Sequence, residues 1–312
     1  MPTKPFCVKI ESYSKSLHTK MKIEKKSINT IKAYMRTYRD FVEFCNQHYK
    51  ELSFQNIKEE DIYAFIEYKS ETMQKQGDIS ISTTNSIISN LKRLFKHIER
   101  NSDEPYDFDK VFEDIKLKQP KRKPKGLSDS DVSKIIDHLE RMKKNEIFLV
   151  YRNILLFKLM LYAGLRASEA VSVTLSNIVL DGESGLYKLT FKGKGDKNRF
   201  SFIREDVIDD EINMLINVFK VNPENVIATT SSSNQMDRIQ LSKMVNSIYR
   251  SAGVEITGVH ILRHTAAKKL LASGVSIVVV QSLLGHSSIQ TTSIYANPTE
   301  DIVKKELAAM IK

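Results

Sequence analysis

Leu186-Tyr-Lys-Leu-Thr-Phe-Lys-Gly-Lys-Gly-Asp-Lys-Asn-Arg-Phe-Ser-Phe-Ile203 is the stretch on which the fold turns. Leu186, Lys188, Thr190 and Lys192 alternate with Tyr187, Leu189 and Phe191, the period of a strand with two unlike faces. Gly193-Lys-Gly-Asp-Lys supplies a turn, and Phe200, Phe202 and Ile203 resume a strand on its far side. The long apolar patterns elsewhere in the chain repeat at the helical period. The fold class expected is therefore mainly α, with one small antiparallel sheet enclosed by helices in a mixed α+β C-terminal half.

On the N-terminal side of the hairpin, residues 150–163 are strongly apolar and predict a helix buried on most sides. Leu127-Ser-Asp-Ser-Asp-Val-Ser predicts a helix start, with Ser128 as N-cap and Asp131 reaching back to it. Further upstream, residues 116–125 hold two prolines and six cations and cannot bury an apolar face; they read as a linker. Before it, Ile31, Tyr34, Met35, Tyr38, Phe41, Val42 and Cys45 line one helix face behind caps at Ser27 or Asn29. A second helix is expected from about Lys58 to Thr72. A third, opened by Ser82 or Thr83, carries Ile87, Ile88, Leu91, Leu94, Phe95 and Ile98, with Lys92, Arg93 and Lys96 between them. The organisation expected is an N-terminal helical domain with a basic arm over residues 1–115, a basic linker over 116–125 and a C-terminal domain over 126–312.

Composition narrows the class. A chain of 312 residues with 41% hydrophobic content is long enough for two globular domains. No N-terminal signal or membrane-length apolar run is present in the sequence, so a cytoplasmic, membrane-free protein is expected. Cys7 and Cys45 have no Cys-x-x-Cys spacing and suit a reduced compartment. The net charge is +10, and it is unevenly spread: residues 1–36 carry nine Lys or Arg against two acids, while residues 37–115 carry ten against sixteen. Basicity concentrated in an arm and a linker points to a polyanion partner.

On the C-terminal side the chain collects groups suited to phosphoryl transfer without a metal. Such chemistry needs a nucleophile, proton donors and acceptors, and cations around phosphorus. Arg166 and Arg263 have the planar fork that grips two phosphate oxygens. Arg166 follows an Ala-Gly break and starts a new helix, where an anion is welcome. Glu169, one turn on, reads equally as a first-turn acid or as support for a neighbouring catalytic group. Lys194 at the hairpin tip suits a general acid, with Lys197 in reserve. His260, Arg263 and His264 share one helix face; the histidine spacing suits zinc, but His-Ile-Leu-Arg-His lacks the glutamate of a zinc-peptidase helix and sets a cation beside the ligands, so no metal is expected. His286 follows Gly285 where a helix ends. Tyr295, one of twelve tyrosines, would need His and Arg neighbours to act as a nucleophile, its reference pKa being about 10.

Gly164-Leu-Arg-Ala-Ser-Glu169, Gly193-Lys-Gly-Asp-Lys-Asn-Arg199, His260-Ile-Leu-Arg-His264, Leu284-Gly-His286 and Tyr295, in that order, resemble the tyrosine recombinase (phage integrase) family, and within it the two-domain Xer-like site-specific recombinases. The resemblance covers most of the chain, and the N-terminal bundle is similar to the family's SAM-like core-binding domain. It implies that Tyr295 attacks DNA to give a 3′-phosphotyrosyl link, that Arg166, Arg263 and His286 bind the scissile phosphate, that Lys194 is general acid and that His260 assists proton transfer. It implies no cofactor, neither metal nor ATP, and double-stranded DNA with specific sites as partner. It also implies a homotetramer in which C-terminal helices, here the stripe Ile302, Val303, Leu307 and Ile311, exchange between neighbours. DNA contacts are expected from Lys121, Arg122 and Lys123 in the linker and from Lys92 and Arg93, and location at the nucleoid follows. The short stretch before Ser27 leaves an additional arm-binding domain unexpected. Two other functions fit the same fold: a DNA-binding regulator that does not cut, and a type IB topoisomerase that relaxes DNA.

Overall fold

The computed structural model describes residues 5–49, 51–73, 79–113, 115, 126–192 and 198–285. The chain divides into two compact units, Met1–Arg122 and Lys123–Lys312.

The first unit packs α1 (Pro5–Ile23), α2 (Ile28–His48), α3 (Glu59–Met73), α4 (Ile81–Asn101) and the single turn α5 (Asp109–Phe112). The helix α1 corrects the expectation of a basic arm. Its lysines hide a stripe of Phe6, Cys7, Ile10, Leu17 and Met21, all buried, because a helix can keep its charges on one face while the other joins a core. Ser27 caps α2, its Oγ accepting the Thr30 N–H at 3.1 Å, so the alternative cap at Asn29 is not used. The helix α4 starts earlier than expected: Ser80 is the cap, its Oγ accepting the Thr83 N–H at 3.2 Å, which puts Ser82 and Thr83 inside the first turn. The predicted stripe from Ile87 to Ile98 is buried, and Phe41 meets the edges of Phe65 and Phe95 at centroid distances of 5.1 and 6.0 Å. Both cysteines are buried and free of disulfide.

The second unit opens with α6 (Asp129–Met142), capped by the anticipated reciprocal pair: Asp131 N–H to Ser128 Oγ at 3.0 Å and Ser128 N–H to Asp131 Oδ2 at 3.3 Å. Then α7 (Phe148–Tyr162) runs through the core, buried from Ile154 to Leu161. Its one cation in that run, Lys158, is neutralised by Glu211 at 2.8 Å. The short α8 (Ala167–Ala170) leads to β1 (Ile178–Asp181), β2 (Leu186–Lys192) and β3 (Asn198–Arg204), an antiparallel sheet in that order. α9 (Glu205–Asn213), α10 (Arg238–Ser251), α11 (His260–Ala272) and α12 (Ile277–Leu284) complete the described residues.

The faces of β3 are not where hydrophobicity puts them. Tyr187, Leu189 and Phe191 of β2 point inward as alternation predicts, and register pairs them with Ile203, Ser201 and Arg199. Phe200, in contrast, lies 45% exposed on the outer face, with Phe202 edge-on to it at 5.6 Å. A serine and an arginine thus occupy interior positions. Ser201 donates to the Ala163 carbonyl at 2.7 Å, and Arg199 enters the site described below.

Ile10→Ala is expected to destabilise the first unit by about 2–4 kcal/mol, as a cavity in a packed core does. Urea denaturation followed by circular dichroism measures it; an unchanged midpoint would restore the solvated arm.

Candidate active site

The last carbonyls of a helix have no partner within it and lie at the negative end of its dipole. At the C-terminus of α12 three consecutive carbonyls are each taken by a different arginine. Arg199 donates to Leu283 O through Nε at 3.1 Å and also through Nη2. Arg263 donates to Leu284 O through Nη2 and to Gly164 O through Nη1 at 2.6 Å. Arg166 donates to Gly285 O through Nη2. Residues widely separated in sequence meet at one corner of backbone.

Two glycines permit it. Gly164 and Gly285 have φ of +66° and +60°, a region that side chains with a Cβ avoid. A Cβ on Gly164 would stand 2.4 Å from Leu284 Cδ2, and one on Gly285 would stand 2.7 Å from Arg199 Cδ. The segment carrying Arg166 and the end of α12 can approach this closely only without those atoms.

Glu169 joins the arginines. Its Oε1 accepts from Arg166 Nη1 at 2.8 Å, and its Oε2 accepts the Arg166 backbone N–H at 2.7 Å and a bond from Arg199 Nη1. Burial pushes its carboxyl up, but the Arg199 charge, the Arg166 backbone N–H and the two guanidinium hydrogen bonds outweigh that and hold it below its ordinary value. Glu169 thus caps α8 and bonds two arginines. The backbone N–H of Arg166 at the start of α8 is bonded to an anion of the chain itself, the Glu169 carboxylate.

Arg166, His260 and Arg263 line one cleft of about 780 Å³, together with Arg238 and Lys243 of α10. No acid lines it. His260 opens α11 and is exposed, with Arg263 one turn deeper and 8% exposed. His264 is half-buried; burial, then the His260 and Arg263 charges, push its imidazole below its ordinary value. Sequence reasoning missed Arg199, Arg238 and Lys243. The last two had a signal: with Leu241, Val245, Ile248 and Tyr249 buried, the other face of α10 must show Arg238 and Lys243.

Lys194, Lys197, His286, Tyr295, Lys121, Arg122, Lys123 and the stripe from Ile302 to Ile311 lie outside the described residues. In the first unit, Lys92 and Arg93 line a separate cleft of about 540 Å³ with Lys20, Lys96 and Arg100. Arg93 is partly engaged there, bonded to Glu24 at 2.8 Å and lying 5.4 Å over the Tyr34 ring.

The phage integrase family pattern matches residues 125–301, and that of the phage integrase N-terminal SAM-like domain matches residues 14–102. The chain is 31% identical to tyrosine recombinase XerD of Rickettsia conorii over 294 residues, covering 90% of this chain and 92% of that protein. Its fold is similar to that of the XerH site-specific recombinase bound to palindromic difH substrate in a post-cleavage complex. There the TM-score is 0.75 at 22% identity, covering 98% of this chain and 85% of the other. A lambda integrase dimer bound to a COC′ core site gives 0.65 at 15% identity, over 92% and 77%.

A carboxyl held low in the fold stabilises it above the ordinary glutamate range and loses that contribution as the pH falls through the folded value. Glu169→Gln is therefore expected to lower Tm at pH 7, with the difference from the native protein shrinking below about pH 4. Scanning calorimetry across pH measures this; a pH-independent gap would mean that the charge of Glu169 is not what matters.

Proposed function

The chain belongs to the phage integrase family, and from that membership we propose how its residues cut and rejoin DNA. The protein is a site-specific DNA recombinase: a tyrosine displaces a 5′-hydroxyl to leave a 3′-phosphotyrosyl link, and a 5′-hydroxyl of the partner strand reverses the step. The relatives compared above are named recombinases, which favours strand exchange over a regulator that does not cut or a topoisomerase that relaxes.

In this reading Tyr295 forms the new P–O bond as the P–O5′ bond breaks. Its phenolic proton passes to His260, and Lys194 protonates the leaving oxygen. Arg166, Arg263 and His286 neutralise the non-bridging oxygens, and Arg238 and Lys243 hold flanking phosphates. Neither metal nor ATP enters, since the phosphodiester energy is kept in the phosphotyrosine. The observation that carries the assignment is the shared corner: Arg166 and Arg263 bond adjacent carbonyls at the end of α12, and the residue after that corner is His286. Arg166 has five N–H donors, of which the Glu169 and Gly285 bonds use two, and its side chain is 37% exposed, so donors remain for a phosphate.

The finer organisation extends the reading. Residues 1–115 form the core-binding domain and 126–312 the catalytic domain, with Lys121, Arg122 and Lys123 of the 116–125 linker along the phosphates and Lys92 and Arg93 adding contacts. Four copies act on two sites, the stripe Ile302, Val303, Leu307 and Ile311 packing onto a neighbour. The protein works at the nucleoid in the cytoplasm; among the described residues no helix is long and apolar enough to cross a membrane.

On a nicked duplex that traps the intermediate, the native protein is expected to form a covalent adduct in EDTA without ATP, and Tyr295→Phe none. Arg263→Ala should slow adduct formation by roughly 10²–10³-fold, the scale of losing one transition-state donor. Denaturing gels read both, and an adduct persisting in Tyr295→Phe would contradict the assignment.

A further inference from the structure

We propose that Arg199 is a positioning residue for DNA cleavage: by bridging Glu169 to the Leu283 carbonyl it sets Arg166 against the end of α12, from which the chain continues to His286. The proposal rests on the recombinase reading above and adds a residue to it.

Three observations carry it. Arg199 occupies an interior position of β3, opposite Phe191, whose ring lies 5.7 Å beneath its guanidinium. It is 8% exposed; burial, and then the Arg166 charge, push it below its ordinary value while Glu169 pulls the other way, and the Glu169 carboxylate faces the buried charge. Its polar contacts converge on the site. Nη1 bonds Glu169, which also holds the Arg166 backbone and side chain, and Nε and Nη2 both bond Leu283 O, two residues from the carbonyl that Arg166 holds. Direct packing closes the loop, since any Cβ on Gly285 would fall 2.9 Å from Arg199 Nε.

A buried arginine can also serve the fold alone, and the second unit contains one for comparison. Arg152 on α7, 4% exposed, bonds the Thr229 carbonyl and the Asn153 side chain. Neither Thr229 nor Asn153 lines the cleft of Arg166, His260 and Arg263. Arg199 differs in that Glu169 and the α12 terminus are both direct partners of Arg166. The guanidinium is needed for its shape: one edge meets the carboxylate while another meets the carbonyl, a span that the single ammonium of lysine does not reproduce. Lysine would keep the charge beside Glu169 and lose the bridge.

The test is single-turnover cleavage at saturating concentrations of a nicked duplex carrying the sequence that the native protein enriches from a randomised DNA pool. Native, Arg199→Lys and Arg199→Ala proteins are compared for rate constant, reaction amplitude, DNA affinity and Tm. The rate constant is expected to fall about 10-fold in Arg199→Lys and on the order of 100-fold in Arg199→Ala, the scale of an ångström-sized misplacement. DNA affinity should stay within about threefold, a change of under 1 kcal/mol; Tm should fall in both variants with the lost bonds, so the rate constant of the folded molecules carries the decision. A residue that serves only the fold would lower Tm and amplitude and leave the rate constant of the folded molecules at the native value; that result overturns the proposal. If Arg199→Ala does not fold, the rate constant of Arg199→Lys decides by itself. An adduct from native protein with unchanged variants removes Arg199 alone, whereas no adduct from native protein removes the recombinase reading and the proposal with it.

Discussion

Everything at the candidate site depends on three arginines competing for the end of one short helix. Backbone carbonyls at a helix terminus need partners, and a charged donor contributes roughly 1.5–3 kcal/mol net per bond, more than a neutral one. Here Arg199, Arg263 and Arg166 supply those donors to Leu283, Leu284 and Gly285. Three like charges drawn together would repel one another. The buried Glu169 carboxylate, bonded to two of them, offsets that repulsion.

This constraint explains features that otherwise look unrelated. Gly164 and Gly285 are needed because both have positive φ and the side chains of Leu284 and Arg199 occupy the space that a Cβ would fill. Interior positions of β3 are polar because one carries Arg199 to the corner and the next, Ser201, bonds the carbonyl of Ala163, next to Gly164. The apolar run of α7 provides the rigid floor from which the Gly164 turn departs. Fold and site are thus joined through backbone carbonyls, with the arginine side chains of the motif acting as struts between them. A guanidinium has donors enough for both tasks.

Much of this was legible in the sequence wherever local rules govern. The capping pair at Ser128 and Asp131, the stripes of α2 and α4, the hairpin and the shared face of His260 and Arg263 follow from periodicity and side-chain chemistry, and the fold class follows with them. Less was legible where a residue's role is set by something distant. The helix α1 was hidden because its lysines dominate composition while Ile10, Leu17 and Met21 need partners from other helices to reveal their stripe. The interior place of Arg199 could not be read because Phe200 and Phe202 outweigh it on a hydrophobicity count, and the carboxylate that faces its charge, Glu169, stands thirty residues away. Glu169 itself could not be decided until Arg199 was seen beside it. The cap of α4 moved to Ser80 because Ser80, Ser82 and Thr83 have similar capping chemistry and the choice falls to packing.

The central claim is that this carbonyl-anchored cluster is the seat of the scissile phosphate. The measurement that addresses it most directly is a crystal structure of the protein covalently trapped on a nicked DNA duplex. The account predicts the phosphotyrosyl group of Tyr295 in the cleft of Arg166, His260 and Arg263, with non-bridging oxygens within about 3.2 Å of both guanidiniums and the bonds to Leu283 O and Glu169 from Arg199 intact. A phosphate seated away from both arginines, or an Arg199 turned out of the corner in the trapped complex, would contradict it.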